Sequence, residues 1–134
     1  MKKLLSLTLI ITFALLLASC GTAMPTPPAD SPLIGSWEYG YSDDVHLAYV
    51  FNADGTGELH LRTGIYPIRW SVSGHVLRMC DHPDECSRRR CSDPIIWDFM
   101  FDEYGYLVLS DRNDEHFAFI YRRRNPSQDG NTND

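Results

Sequence analysis

Apolar and polar residues alternate with a period of two along most of the chain between residues 34 and 122. The last such segment places Phe117, Phe119 and Tyr121 on one face. Alternation of this kind is typical of β-strands that bury one face, whereas an amphipathic helix would repeat every 3.6 residues. The pattern predicts eight strands, at about residues 34–39, 45–52, 57–62, 65–72, 75–80, 94–101, 106–110 and 115–122.

Short turns between these segments predict how the strands pair. They fall at residues 53–55, 63–64, 73–74, 103–105 and 112–114. The first and fourth are three-residue loops that end in glycine, which adopts the required left-handed conformation without strain. The first loop pairs Tyr49 with Leu59, and the fourth pairs Phe99 with Leu109, so apolar faces agree. The prediction is an all-β, eight-stranded antiparallel up-and-down meander. Closure into a small barrel removes both edges, and an incompletely closed or flattened barrel is the alternative.

Three short motifs resemble a known family. Gly35-Ser36-Trp37 resembles the Gly-x-Trp opening of lipocalins and of small bacterial lipocalin-like domains. Residues 51–57 and 70–74 are similar to the second and third blocks of the bacterial group. The resemblance implies a calycin-type barrel in which Trp37 packs at the closed end beneath an arginine of the last strand. Three arginines, of which Arg122 comes first in the sequence, match that role: Arg122, Arg123 and Arg124.

The first 20 residues have the pattern of an export signal. Lys2 and Lys3 precede an apolar run that ends at Leu17, and the run is short for a membrane-spanning helix. The sequence Leu-Ala-Ser-Cys that ends at Cys20 resembles the lipobox of bacterial lipoproteins. This resemblance implies cleavage before Cys20, a diacylglyceryl group on its thiol and further acyl chains such as palmitate, which together anchor a protein stably. An ordinary secretory signal is the alternative.

The chain therefore divides into four predicted parts. They are a signal peptide at 1–19, a lipidated cysteine with a Pro-rich spacer at 20–33, the lipocalin-like barrel at 34–122 and a disordered tail at 123–134. A Pro-rich spacer favours extended conformations and is expected to build no core, and it would hold the barrel up to roughly 40 Å from its anchor. By the resemblance, Gly21 after the cysteine implies the outer membrane in a host with two membranes, and otherwise the outer face of the cytoplasmic membrane.

Removal of Lys2 and Lys3 with the signal would change the net charge from −6 to −8. An acidic chain is unsuited to nucleic acid, so no nucleic-acid partner is predicted, and membrane attachment must come from the lipid on Cys20.

Three cysteines lie in or beside one long connection. Cysteines of exported proteins usually form disulfides. Cys80 and Cys91 lie at the two ends of the loop, where paired strands bring the backbones together. The first-ranked bridge is Cys80–Cys91, which leaves Cys86 free, and the rival is Cys86–Cys91. A zinc site that also uses His82 is a further alternative, although no metal is the prediction.

No motif for nucleophilic, phosphoryl-transfer or metalloprotease catalysis is present, so neither enzymatic activity nor a cofactor is predicted. The predicted function is a lipid-anchored, extracytoplasmic lipocalin-like binding protein of the bacterial envelope, for a small apolar ligand. The alternative is an adhesion or assembly module that binds an envelope protein and has a filled barrel. Inward aromatic side chains would line a pocket or fill the interior: Tyr49, Trp70, Trp97, Phe99 and Phe117.

Overall fold

The computed structural model describes residues 23–40, 47–81 and 91–125, and these residues form an all-β structure. The eight strands are β1 (Gly35–Tyr39), β2 (Leu47–Phe51), β3 (Thr56–Leu61), β4 (Gly64–Ser73), β5 (Val76–Cys80), β6 (Ile95–Phe101), β7 (Leu107–Asp111) and β8 (Asp114–Arg123). Each strand pairs antiparallel with the next, and β8 pairs with β1, so the sheet is a closed barrel. The predicted meander and its closure are confirmed.

The predicted register of the β2–β3 and β6–β7 hairpins is also confirmed. Tyr49 pairs with Leu59 and Phe99 pairs with Leu109. The two-residue turns β3–β4 and β4–β5 are each shifted by one residue from their predicted positions. Leu61 pairs with Gly64, so the glycine belongs to β4, and the turn residues are 62 and 63.

The β4–β5 turn shifts in the opposite sense. Ser73 pairs with Val76, which makes Gly74 and His75 the two turn residues. Gly74 has a φ of 59° at the first of these positions, where hairpin turns of this length require a left-handed residue. The shift therefore follows from turn geometry.

The barrel has two different ends. The meander places the β2–β3, β4–β5 and β6–β7 connections at one end, together with the start of β1 and the end of β8. We call this the closed end. The opposite end, which we call the exposed end, carries the β3–β4 and β7–β8 turns and the start of β6. Residues 41–46, between β1 and β2, and residues 82–90, between β5 and β6, lie outside the described residues.

An N-terminal strap, residues 23–33, packs against the barrel. Leu33 is fully buried in the core and Ser31 is 8% exposed, while Pro27 lies against Gly55 at the β2–β3 loop. Further upstream, Met24 packs on Cys80 and Cys91. The expectation of a free spacer that builds no core is therefore wrong for this segment. Burial of its apolar side chains on the barrel lowers the free energy, and an isolated Pro-rich chain has no such surface to pack on.

The end of the barrel also differs from the predicted boundary. Arg123 is part of β8, and the backbone N–H of Arg124 donates to the carbonyl of Ser36 at 2.9 Å. Residues 126–134 of the predicted tail lie outside the described residues.

Candidate binding site at the exposed end

The closed end is built around Trp37. This side chain is 1% exposed, and its indole N–H donates to the carbonyl of Leu33 at 2.8 Å. The guanidinium carbon of Arg123 lies 4.6 Å from the ring centroid, a cation–π arrangement. The Arg123 guanidinium also donates to the carbonyls of Pro32 at 2.9 Å and Ile34 at 3.3 Å. One arginine thus covers the tryptophan and holds the strap in place.

Of the three arginines that match the role by resemblance, Arg123 covers Trp37, and Arg122, the first of them, does not. Trp37 and Arg123 are direct partners across β1 and β8, so their side chains share the interior face. Arg122 alternates to the outside, where its Nε donates to the Glu38 carboxylate at 2.8 Å. The pairing of β1 with β8, which joins residues far apart in the chain, determines which of the two neighbouring arginines covers Trp37.

A second tryptophan completes the closed end. Trp70 is fully buried, and its indole N–H is shared between the carbonyls of Asn52 and Thr56, both at 3.0 Å. Its ring lies 5.1 Å from that of Phe51. The second and third motifs of the sequence resemblance thus meet in space, because the tryptophan of one satisfies the turn carbonyls of the other.

Inward side chains at the exposed end are not covered in the same way. Leu61 and Tyr66 are each 38% exposed and Phe117 is 50% exposed, although all three share the inward face of their strands. Phe117 packs edge-on against Phe119 with ring centroids 4.9 Å apart. The inward face of the barrel therefore presents apolar surface to solvent at this end.

A pair of phenols lies at mid-height. The hydroxyls of Tyr49 and Tyr121 hydrogen-bond to each other, and the rings are 5.6 Å apart. Burial raises the pKa of the Tyr121 phenol, and the neighbouring Tyr49 and Tyr39 raise it further. Burial also raises the pKa of Tyr49, with a smaller contribution from Asp81. Both phenols are therefore neutral at physiological pH and form an uncharged polar floor beneath the exposed end.

Trp97 differs from the other two tryptophans. Its ring packs edge-on against Phe119 at 5.7 Å, and it is only partly buried. Its indole Nε1 is itself buried and has no hydrogen-bond partner among the described residues. A buried donor without an acceptor costs about 1–3 kcal/mol, so an oxygen placed beside this N–H would lower the free energy.

The predicted ligand-lining residues fall into two groups. Tyr49, Trp97 and Phe117 lie between mid-height and the exposed end and each contacts the ring of Phe119 or Tyr121, whereas Trp70 is enclosed at the closed end. Phe99, 9% exposed, contributes instead to a recess of about 610 Å³ at the closed end, between the strap and the β4–β5 turn. The period of two predicted that all five of these side chains face inward, but it did not predict at which height in the barrel each one lies.

Sequence reasoning missed two features of the site. It did not find the phenol pair, although both tyrosines were assigned to inward faces, because a contact between β2 and β8 requires the closed barrel. It also gave no sign that Trp97 would lack a hydrogen-bond acceptor, since all three tryptophans occur in strands of similar pattern.

The structure brings Cys80 and Cys91 to disulfide distance, with Cα atoms 5.8 Å apart. This is the arrangement that the first-ranked pairing requires. Both side chains are buried beneath Met24 of the strap. Within the three described ranges, no group of three or more His, Cys, Asp or Glu side chains converges on a metal-sized site. His82, Cys86 and the predicted lipidation site Cys20 lie outside those ranges.

No family model, curated protein or solved structure matches the chain. None of the described residues belongs to a helix with the length and apolarity needed to cross a membrane.

Proposed function

We propose that this chain is a lipid-anchored, extracytoplasmic lipocalin-like binding protein of the bacterial envelope. Its ligand is a small apolar molecule that carries a hydrogen-bond acceptor, and it binds at the exposed end of the barrel. The location rests on the export signal and the motif that ends at Cys20. The binding activity rests on the exposed end.

The observation that carries the binding proposal is the buried, unpartnered Nε1 of Trp97 beneath an apolar rim. Leu61, Tyr66 and Phe117 leave apolar surface exposed at this end, and a ligand would gain free energy by removing it from water. The indole N–H would gain by donating to a carbonyl, carboxylate or ether oxygen of the same ligand. Ligand sites usually combine such an apolar lining with a few polar groups that fix orientation.

A fluorescent polyene fatty acid supplies a probe with both features. We expect saturable binding of one probe per chain. The Trp97→Phe variant keeps an aromatic ring but removes the donor, so it should lower the affinity roughly five- to tenfold, the value of about one net hydrogen bond. The matched control is the polyene hydrocarbon without the carboxyl group, whose affinity should not change in Trp97→Phe. Phe117→Ala should weaken both probes.

Native mass spectrometry of the protein purified from its own envelope tests occupancy directly. A bound mass of a few hundred daltons is expected, in keeping with a pocket-sized ligand. A bare protein that also shows no saturable probe binding would overturn the ligand proposal. Attachment is tested separately by Cys20→Ser, which should leave the membrane fraction. Correctly processed Cys20→Ser protein that stays in that fraction would overturn the lipid anchor.

A second candidate function is contact with another envelope protein. It is favoured by two tyrosines of the β6–β7 loop, Tyr104 and Tyr106, which are 75% and 42% exposed. Their rings lie 6.2 Å apart beside a recess of about 320 Å³ that includes Arg122. Aromatic and arginine side chains are enriched in protein interfaces. In-cell crosslinking that captures a partner in the native protein, but not in Tyr104→Ser/Tyr106→Ser, would support this candidate.

A further inference from the structure

The recess at the closed end, between the strap and the barrel, is separate from the site at the exposed end. We call it the strap recess. Its volume is about 610 Å³, and apolar side chains of β4 and β6 line it: Val72, Phe99, Met100 and Phe101. The rings of Phe99 and Phe101 meet at 75° with centroids 6.1 Å apart, so they form an aromatic corner. Sites for small molecules commonly have this size and this kind of lining.

The strap forms the opposite wall of the recess, and backbone contacts hold its shape. The N–H of Ser31 donates to the carbonyl of Pro28 at 3.0 Å, and the N–H of Ile34 donates to the carbonyl of Ser31 at 3.1 Å. Pro28 and Pro32 have a restricted φ. The guanidinium of Arg123 donates to the carbonyl of Pro32 at 2.9 Å. Because this wall is already ordered, a ligand would bind with little loss of conformational entropy.

The charge at the edge of the strap recess is negative. Asp30 lines it from the strap, and His75 lines it from the β4–β5 turn, with its ring 6.4 Å from that of Phe99. Asp30 is exposed and makes no ion pair with any residue that the structure describes. The described lining contains neither arginine nor lysine. A bound cation would therefore find a carboxylate that no described basic group neutralises.

We propose that the strap recess binds an apolar amine, that is, a hydrocarbon or aromatic body that carries an ammonium group. The body would fill the corner between Phe99 and Phe101 and remove apolar surface from water. The ammonium would lie near the carboxylate of Asp30, and aromatic rings attract cations as well. An anionic ligand of the same shape would be repelled by Asp30. This site is additional to the one at the exposed end and depends neither on that site nor on the lipid anchor.

Three probes with one common body test the proposal: phenylbutylamine, phenylbutanol and phenylbutyrate. Each is titrated into the intact, isotopically labelled protein, and backbone amide shifts are followed by NMR. We expect saturable shifts at Ser31, Gly74 and His75, with the amine bound most tightly and the acid most weakly.

A pair of aspartate variants isolates the charge. Asp30→Asn should lower the affinity for the amine about two- to fivefold, the value of one exposed charge pair, and leave that for the alcohol unchanged. The matched control is Asp93→Asn, which changes the net charge equally at an exposed aspartate outside the recess. It should change neither affinity. Because both side chains are exposed, neither variant should impair folding.

The remaining outcomes would overturn the proposal. Equal affinities for the amine and the acid, or equal losses in the two variants, would refute selection by Asp30. Shifts confined to Leu61 and Phe117 would place the probes at the exposed end, which refutes the strap recess and leaves the first site standing. Shifts at neither end with any probe would refute the strap recess as a binding site.

Discussion

The two ends of the barrel contain the same kinds of residue but differ in how completely their aromatic side chains are buried and hydrogen-bonded. At the closed end, Trp37 and Trp70 are at most 1% exposed, and both indole N–H groups have carbonyl acceptors. At the exposed end, Phe117 is 50% exposed and the buried Nε1 of Trp97 has no partner among the described residues. Complete burial with satisfied polar groups stabilises a fold, whereas uncovered apolar surface with an unsatisfied donor suits a binding site.

The strap accounts for much of this difference. It supplies Leu33 to the core, the carbonyl that accepts from Trp37 and a carbonyl that accepts from Arg123. The three tryptophans are thus a comparison within one molecule. The indole N–H groups of Trp37 and Trp70 donate to backbone carbonyls, whereas that of Trp97 has no acceptor among the described residues.

The largest expected effect tests whether stability is concentrated at the closed end. Trp37→Ala should destabilise the protein by roughly 3–5 kcal/mol, because it removes a buried ring and leaves a cavity. Phe117→Ala, which also removes an inward aromatic ring, should cost much less since that ring is half exposed. Urea denaturation of both variants measures the difference. Equal shifts of the midpoint would show that the two ends contribute alike.

The disulfide should contribute next in size. Cys80→Ser/Cys91→Ser should lower the free energy of unfolding by about 2–3 kcal/mol, as expected for the loss of a short crosslinked loop. Thiol labelling of the unreduced protein, in a Cys20→Ser background, should modify Cys86 alone. Label on Cys80 or Cys91 with Cys86 protected would reverse the ranking of the pairings.

Gly57 tests how tightly β2, β3 and β4 approach at the closed end. A Cβ at this position would collide with the carbonyl of Val50 and meet Ile68 at 3.0 Å. Gly57→Ala should therefore cost about 1–3 kcal/mol through overpacking. The control is Gly40→Ala, whose Cβ would meet only the Ile120 carbonyl at 3.6 Å, an ordinary contact. Thermal midpoints of the two variants that do not differ would argue against close packing here.

Arg122 and Arg123 lie on opposite faces of β8, so substituting each one compares the two faces. Arg123→Met should cost about 1–2 kcal/mol, because charged hydrogen bonds to the carbonyls of Pro32 and Ile34 and a cation–π contact are lost. Arg122→Met removes only an exposed ion pair with Glu38, so it should cost below about 0.5 kcal/mol. Urea midpoints decide the order, and a larger loss in Arg122→Met would contradict the assignment of the covering arginine.

Titration of the phenol pair should have the smallest effect on the free energy of unfolding near neutral pH, and the effect should grow at alkaline pH. The pKa of both Tyr49 and Tyr121 is raised from the ordinary value of 10.0, so the unfolded chain releases these protons first. Their stabilising contribution is complete below that value and is lost as pH rises through it, by about 1.4 kcal/mol per pH unit for each phenol.

Urea midpoints and tyrosinate absorbance, followed from neutral to alkaline pH, test this linkage. The alkaline loss of stability should shrink in Tyr49→Phe/Tyr121→Phe. It should be unchanged in the control Tyr104→Phe, whose ring is exposed at the closed end. The same loss in the double variant as in the native protein would show that other groups cause it.

The sequence by itself determined the eight strands, their antiparallel order, the register of the β2–β3 and β6–β7 hairpins and which side chains face inward. Each of these depends on local information: a period of two, the glycines at positions 55 and 105, and apolar faces that must agree across a hairpin. It also led to the first-ranked pairing of Cys80 with Cys91, because both lie at the roots of one loop.

Only the tertiary structure decided how the two ends differ. The choice of Arg123 over Arg122 depends on the pairing of β1 with β8, residues far apart in the chain. The burial of Leu33 and Met24 depends on a barrel surface that exists only once all eight strands are joined. The unpaired Nε1 of Trp97 depends on where every neighbouring acceptor lies. A local pattern fixes the direction in which a side chain points, but the contacts that it makes there are set by ring closure and by the strap.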